Sequence, residues 1–309
     1  MKKIIFGVLA GASFLLLLVF PKLCFDAAKA GLLLWFETLV PSLFPVMILS
    51  NLLIATNVAF VCIQYISRPF TALLGLTPYG VYAMFVGFFC GCPMGAKVLS
   101  DLRRNRQISQ EEAVYLAGFC NNLSPAFLIN FLVVGHLKSE DFIGPTLCIL
   151  MGAPVLFGLF SNHRYRTLLG SHSQAKIKNK PSSTAITFAM ADACISDSIY
   201  NMTKLGGYVI LFFVLTAFLD FLPGSTGLAK AILSGITEIS GGIHHIACLP
   251  LTFPQKYILL TAAASFGGLC CAAQSAGMLA DIGMPLGHYL LSKLGITAIA
   301  VIMALCYIS

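Results

Sequence analysis

The chain has 309 residues, 58% of them hydrophobic and only 10% charged, where a soluble protein carries about 25% charged residues. That composition excludes a soluble globule and predicts an all-α polytopic membrane protein; no soluble linker separates two cores, so a single membrane domain is expected. The formal charge of +7 is too small and too dispersed for a nucleic-acid partner, and much of it sits in loops, where the positive-inside rule uses it to set orientation.

Lys2 and Lys3 precede the apolar run from Ile4 to Phe20. A signal peptide would read similarly, since Ala28-Lys29-Ala30 resembles a small-residue cleavage site. Hydrophobic segments follow at once, so residues 1–27 are expected to form an uncleaved transmembrane helix that leaves the N-terminus cytoplasmic. Residues 29–56 form a second span, running inward, where Pro41 and Pro45 each remove a helix hydrogen bond and should kink it. Glu37 is the carboxylate of this span. An acid within a membrane is a functional candidate, and a place at the outer interface is the alternative. Residues 58–74, with Gln64, Arg68 and Pro69, are expected to lie along the inner surface.

Residues 83–135 are apolar enough for a bilayer, yet broken twice. The first break is Gly87, Gly91, Cys92, Pro93 and Gly95; the second is Asn121, Asn122, Ser124 and Pro125. Between them lies a polar tip with Arg103, Arg104 and Arg106. Broken helices free backbone groups that hydrocarbon does not satisfy, so such breaks belong where they face protein or a water-filled cavity. A re-entrant hairpin is expected, entering near Pro78, turning at Gly91–Pro93 and returning to Arg103. A discontinuous span follows, started by a capping box with Ser109 as N-cap and Glu112 three positions on. Secondary transporters build midplane solute sites from such pieces.

His136, Lys138, Glu140 and Asp141 mark an outer turn, and residues 142–160 a further inward span. The stretch 161–183 carries Arg164, Arg166, Lys176, Lys178 and Lys180 and no acid, which marks it as cytoplasmic. The second half repeats the plan. Residues 186–200 are expected along the inner surface and 201–221 as an outward span. Residues 224–250 should form a second hairpin, with Glu238 on one arm beside Gly241 and Gly242. Residues 254–280 give a span broken at Ser265–Gly268, and 285–308 the last span. The domain reading is therefore an N-terminal helix (1–27), a first repeat (28–160), a basic cytoplasmic linker (161–185) and a second, inverted repeat (186–309).

Eleven cysteines are scattered along apolar segments, and no pair of CxxC units makes a zinc site. They read as small buried thiols, with a thiolate path for a soft metal ion as the minor alternative. His244 and His245 need more converging ligands to hold a metal.

Several motifs carry a family resemblance. They are Leu34-Trp35, Pro41-Ser42-Leu43-Phe44-Pro45, Gly91-Cys92-Pro93-Met94-Gly95-Ala96-Lys97 and Phe119-Cys120-Asn121-Asn122-Leu123-Ser124-Pro125. With them go Gly206-Gly207-Tyr208, Glu238-Ile239-Ser240-Gly241-Gly242 and Phe266-Gly267-Gly268 with Gln274. Together, over residues 28–305, they resemble the YlbJ family, sporulation integral membrane proteins of the nucleoside-recognition, or Gate, superfamily. Cys92 stands where that family typically has Tyr. The resemblance implies a fold similar to concentrative nucleoside transporters, with two hairpins tip to tip. It also implies a role in spore formation, where such proteins are linked to moving dipicolinate out of the mother cell. Carriers of that fold are often trimers, so the analogy admits a homo-oligomer.

The expected function is secondary transport of a small anionic or aromatic solute, dipicolinate first. Nucleoside or nucleobase carriage is the alternative within transport, and a non-transporting spore-envelope protein the alternative outside it. No enzyme is expected, since no nucleophile–base pair is recognisable, and no cofactor beyond a coupling ion, Na⁺ or H⁺. Besides the solute, the expected partner is membrane lipid, in the cell membrane. A dicarboxylate needs donors and positive potential, which half-helix N-termini supply. The candidate breaks are Gly91, Cys92, Pro93 and Gly95; Asn121, Asn122 and Ser124; Gly241 and Gly242; and Gly267 and Gly268. Lys97 is a candidate counter-charge, or a lysine snorkelling to the headgroups. Glu238 is a candidate for ion coupling, with Glu37, or the partner of Lys97 or Lys204 in an ion pair. Gln274 and Ser275 offer hydrogen bonds to a solute or between helices.

Overall fold

The computed structural model describes residues 7, 11, 14, 15, 17–56, 58–169, 187–221 and 227–308. Lys2, Lys3, most of the expected first span and the basic residues Lys176, Lys178 and Lys180 lie outside them, as do the side chains of Arg164 and Arg166. Every regular element among the described residues is helical.

The chain enters through α1 (Pro21–Leu33), widens into a π-helical turn at Leu34–Leu39 and continues as α2 (Val40–Ala55). The axis bends by 53° between Pro21–Leu39 and Leu43–Leu49. Pro41 and Pro45 account for the bend, because each lacks the N–H its turn requires. Helix α3 (Val58–Leu74) follows, and its second part, Tyr65–Leu74, turns by 96° into α4 (Pro78–Cys90). An orientation nearly perpendicular to α4 suits a surface-lying segment.

Helices α4 and α5 (Met94–Arg104) form a hairpin, broken at Gly91–Pro93. Thr77 caps α4, its hydroxyl accepting from Gly80 N at 3.1 Å. The expected capping box at Ser109 is only half made. Ser109 Oγ accepts from Glu112 N, which starts α6 (Gln110–Ala117). The Glu112 carboxylate instead accepts from Thr77 N at 2.7 Å and Thr77 Oγ1 at 2.9 Å, tying the start of α6 to the start of the hairpin. After the second break comes α7 (Pro125–Leu137), then α8 (Ile143–Leu169).

The second half departs from expectation at its start. Residues 186–200 and 201–221 are not separate pieces. One helix, α9 (Phe188–Ala217), runs through both. Its 30 residues span roughly 45 Å at 1.5 Å per residue, longer than a hydrocarbon core. Polar side chains at the expected junction bond within the helix: Ser198 Oγ donates to Cys194 O, and Asn201 Nδ2 to Asp197 O. The helix runs through the Gly206-Gly207 pair, and Gly206 lies against the Trp35 ring, where a Cβ would come within 2.6 Å. Helices α10 (Gly227–Thr237) and α11 (Ile239–Cys248) make the second hairpin. Helices α12 (Phe253–Phe266) and α13 (Gly268–Asp281) are two parts of one span, and α14 (Leu286–Ile308) closes the chain.

Four stretches among the described residues are long and apolar enough to cross a membrane: Glu140–Asn162, Phe188–Ala217, Phe253–Asp281 and Leu286–Ile308; counting each of two bent pairs as one span gives up to six. Large apolar side chains such as Phe25, Phe160, Leu291 and Ile302 are exposed. In a chain of this composition such faces belong against lipid. The chain is a multi-pass membrane protein.

Candidate functional site

Two hairpin tips and two helix breaks converge on one cavity. Gly91, Cys92, Pro93 and Met94 from the first tip and Glu238, Ile239 and Ser240 from the second line it. Leu123, Ser124 and Phe127 from one broken span, and Cys270, Cys271 and Gln274 from the other, complete those walls. Asn201 of α9 adds a polar group at its side. The space measures about 50 Å³, enough for a few water molecules.

Each hairpin leans on the broken span that follows it. Cys92 N donates to Asn122 O at 2.7 Å. Gly87 lies so close to this break that a Cβ there would sit 2.1 Å from Cys120 O. In the second hairpin the close approach is internal. A Cβ on Gly242 would sit 2.1 Å from Gly235 Cα. Gly267 and Gly268 take positive φ values of 81° and 76°, breaking the α12–α13 span beside the tip at Glu238 and Ile239. Gly95 lies in the first turn of α5, where a Cβ would be 2.7 Å from Cys120 O.

Four half-helix N-termini border the cavity, and they differ. Ser124 Oγ accepts from Phe127 N and caps α7. Glu238, 2% exposed, accepts from Ser240 N at 3.0 Å and Gly241 N at 2.6 Å and caps α11. Helices α5 and α13 carry no side-chain cap. In the first turn of α5, Gly95 N already donates to Gly91 O at 3.3 Å; amides left open at such a terminus are the ones that a bound acceptor meets without displacing a protein group.

This corrects the placement of Glu238, which sits at the tip rather than on an arm. It pairs with neither Lys97 nor Lys204 but holds backbone amides. Gly241 and Gly242 lie inside α11, and their amides already donate, to Glu238 Oε2 and Glu238 O. Lys97 does not line the cavity. Its ammonium is held by Asp197 of α9. The pair borders a second cavity of about 360 Å³, with Asn51, Asp101 and Cys194, and Met94 stands between the two spaces. Glu37 is exposed on the π-helical turn and lines neither cavity.

Asn121 and Asn122 lie behind the cavity wall in a buried polar cluster. Asn121 Nδ2 donates to Ser275 Oγ at 2.8 Å and Tyr289 Oη at 3.0 Å. Cys92 Sγ lies 3.4 Å from Ser275 Oγ. Lys293 Nζ donates to Asn121 O at 2.6 Å and Asn122 Oδ1 at 2.9 Å. Ser275 therefore links α13 to the first break and the first hairpin tip. Gln274 Nε2 donates to Cys270 Sγ, while its Oε1 is buried without a partner. Lys293 and Tyr289 were missed by sequence reasoning. The signal was present: an ammonium inside an apolar 23-residue helix is a site candidate on principle. Among the described residues, no three His, Cys, Asp or Glu side chains are grouped to hold a metal ion.

No family model and no solved structure matches the chain. Among curated proteins it is similar to the sporulation integral membrane protein YlbJ of Bacillus subtilis strain 168. Identity is 27% over 326 aligned positions, covering 92% of this chain and 78% of that protein. The similarity agrees with the family resemblance carried by the motifs.

Proposed function

We propose that this YlbJ-like membrane protein is a secondary transporter for a small solute, bound between the two hairpin tips. The observation that carries the reading is the convergence of both tips and both helix breaks on one buried cavity. A scaffold has no use for four interrupted helices at one point, whereas a carrier needs irregular backbone there. The recurrence of hairpin, broken span and final span in each half supports an inverted repeat related to concentrative nucleoside transporters. Alternating access then moves one tip against its broken span while the other holds.

For the solute we favour a small anion with a flat ring, dipicolinate being the candidate that similarity to a sporulation protein suggests. The uncapped N-termini of α5 and α13 favour carboxylates, and Gln274 adds an amide. Lys97 is left out of the binding set because Asp197 holds it. The present cavity of about 50 Å³ is too small for a ring, so binding requires the tips to part. The wider space beside Lys97 and Met94 is the route in from the side of the hairpin carrying Arg103 and Arg104, which the basic residues suggest is cytoplasmic.

Uptake of labelled dipicolinate into sealed proteoliposomes, with a nucleoside as competitor, tests this. Saturable dipicolinate flux, reduced by Gln274→Met, is expected. Nucleoside flux alone would keep the carrier and change the solute. Folded, inserted protein inactive toward both would oppose the reading for these two solute classes.

A further inference from the structure

Lys293 lies within α14 and is 3% exposed. Its ammonium has two oxygen partners, Asn121 O at 2.6 Å and Asn122 Oδ1 at 2.9 Å, and stands 5.7 Å from the centroid of the Tyr289 ring. Among the described residues no carboxylate pairs with it; the ion pairs are Lys97–Asp197 and Arg104–Asp281.

The sequence explains why that carbonyl is available. In a continuous helix Asn121 O would accept from the amide four residues on. That residue is Pro125, which has no N–H. The break therefore leaves a buried carbonyl facing α14, beside an amide oxygen. Carbonyl and amide oxygens freed by unwinding are the donor set with which transporters hold a monovalent cation. Here an ammonium on a side chain already fills that place.

We infer that Lys293 is the resident cation of the first helix break: it occupies a latent alkali-metal site and closes it. Removing the side chain without refilling its volume opens that site to Na⁺ or K⁺. The inference does not depend on the chain carrying a solute. Where it does carry one, an alkali-metal gradient does not act through this break.

The test is thermal unfolding of the purified, detergent-solubilised full chain, titrated with NaCl or KCl against N-methyl-D-glucamine chloride at constant ionic strength. Wild type, Lys293→Ala and Lys293→Met are compared. Lys293→Ala should unfold several degrees lower in N-methyl-D-glucamine, and Na⁺ or K⁺ should recover part of the loss in a saturable way. Lys293→Met, whose side chain refills the space without charge, should be lowered and insensitive to the cation. An equal cation response in wild type and Lys293→Ala would overturn the inference. So would an equal response in both variants, or a Lys293→Ala protein that gains nothing from either cation or folds in neither salt.

Discussion

The amide of Cys92, at the tip of the first hairpin, donates to the carbonyl of Asn122, in the break of the following span, at 2.7 Å. Two interruptions of regular structure thus satisfy one another. This is how the chain keeps unwound backbone inside a membrane domain without leaving polar groups bare.

That mutual contact requires the helices to touch through glycine. A Cβ at Gly87 would be 2.1 Å from Cys120 O, and backbone cannot step aside as a flexible side chain can. Overpacking costs about 1–3 kcal/mol and sometimes more; Gly87→Val should lie at or above the top of that range. Gly207→Ala, where no atom lies within 4 Å of the added Cβ, should leave stability unchanged or raise it by up to ~1 kcal/mol, since glycine weakens a helix interior. Unfolding temperatures of the two variants in the same detergent check both.

Gln274 separates stability from binding. Its Oε1 is buried and unpartnered in the cavity wall. Such a group costs about 1–3 kcal/mol, so Gln274→Met should be neutral or stabilising by about 1 kcal/mol in thermal unfolding. In proteoliposomes the same variant should lose solute flux. A variant that is destabilised and fully active would show that the amide serves packing alone.

The residues that break helices were legible in the sequence because Gly, Pro and Asn act locally. Gly91-Cys92-Pro93, Asn121–Pro125 and Gly267-Gly268 all interrupt helices where expected. What could not be read was which partner each freed group finds. The capping-box spacing assigns Glu112 to its own helix terminus, yet it reaches Thr77, 35 residues earlier. Glu238 was legible as a buried acid but not as a cap, because its tip position depends on Gly235 and Gly242 touching. Lys293 was legible as an ammonium inside an apolar helix, but its partner was not, since Asn121 lies 172 residues away. The continuity of α9 was not legible, because its polar residues find their partners inside the helix or across it: Asn201 donates to Asp197 O, and the Asp197 carboxylate holds Lys97.

The Lys97–Asp197 pair joins the first hairpin to α9, with side chains 25% and 51% exposed. Exposed pairs contribute about 0–1 kcal/mol, and salt screens them. Lys97→Gln and Asp197→Asn should each change stability by under about 1 kcal/mol, with a small coupling that shrinks further in high salt. A double-mutant cycle by thermal unfolding measures it. A coupling well above that range would mean the pair is shielded from water, for instance by a neighbouring copy of the chain.

Glu238 should show two separable effects. As the cap of α11 it satisfies the amides of Ser240 and Gly241. Replacing a capping side chain by alanine costs about 0.5–2 kcal/mol, and Glu238→Ala should reach the upper end because the site is buried. Glu238→Gln keeps an oxygen that still accepts one of these bonds, so it should be less destabilised. If the carboxylate also couples an ion to the solute, Glu238→Gln should lose the dependence of flux on a Na⁺ or H⁺ gradient while still exchanging solute across proteoliposomes. If the residue only caps, Glu238→Gln should keep whatever gradient dependence the wild type has. The gradient measurement on this one folded variant therefore decides between a structural carboxylate and a coupling one, which the stability of Glu238→Ala alone does not.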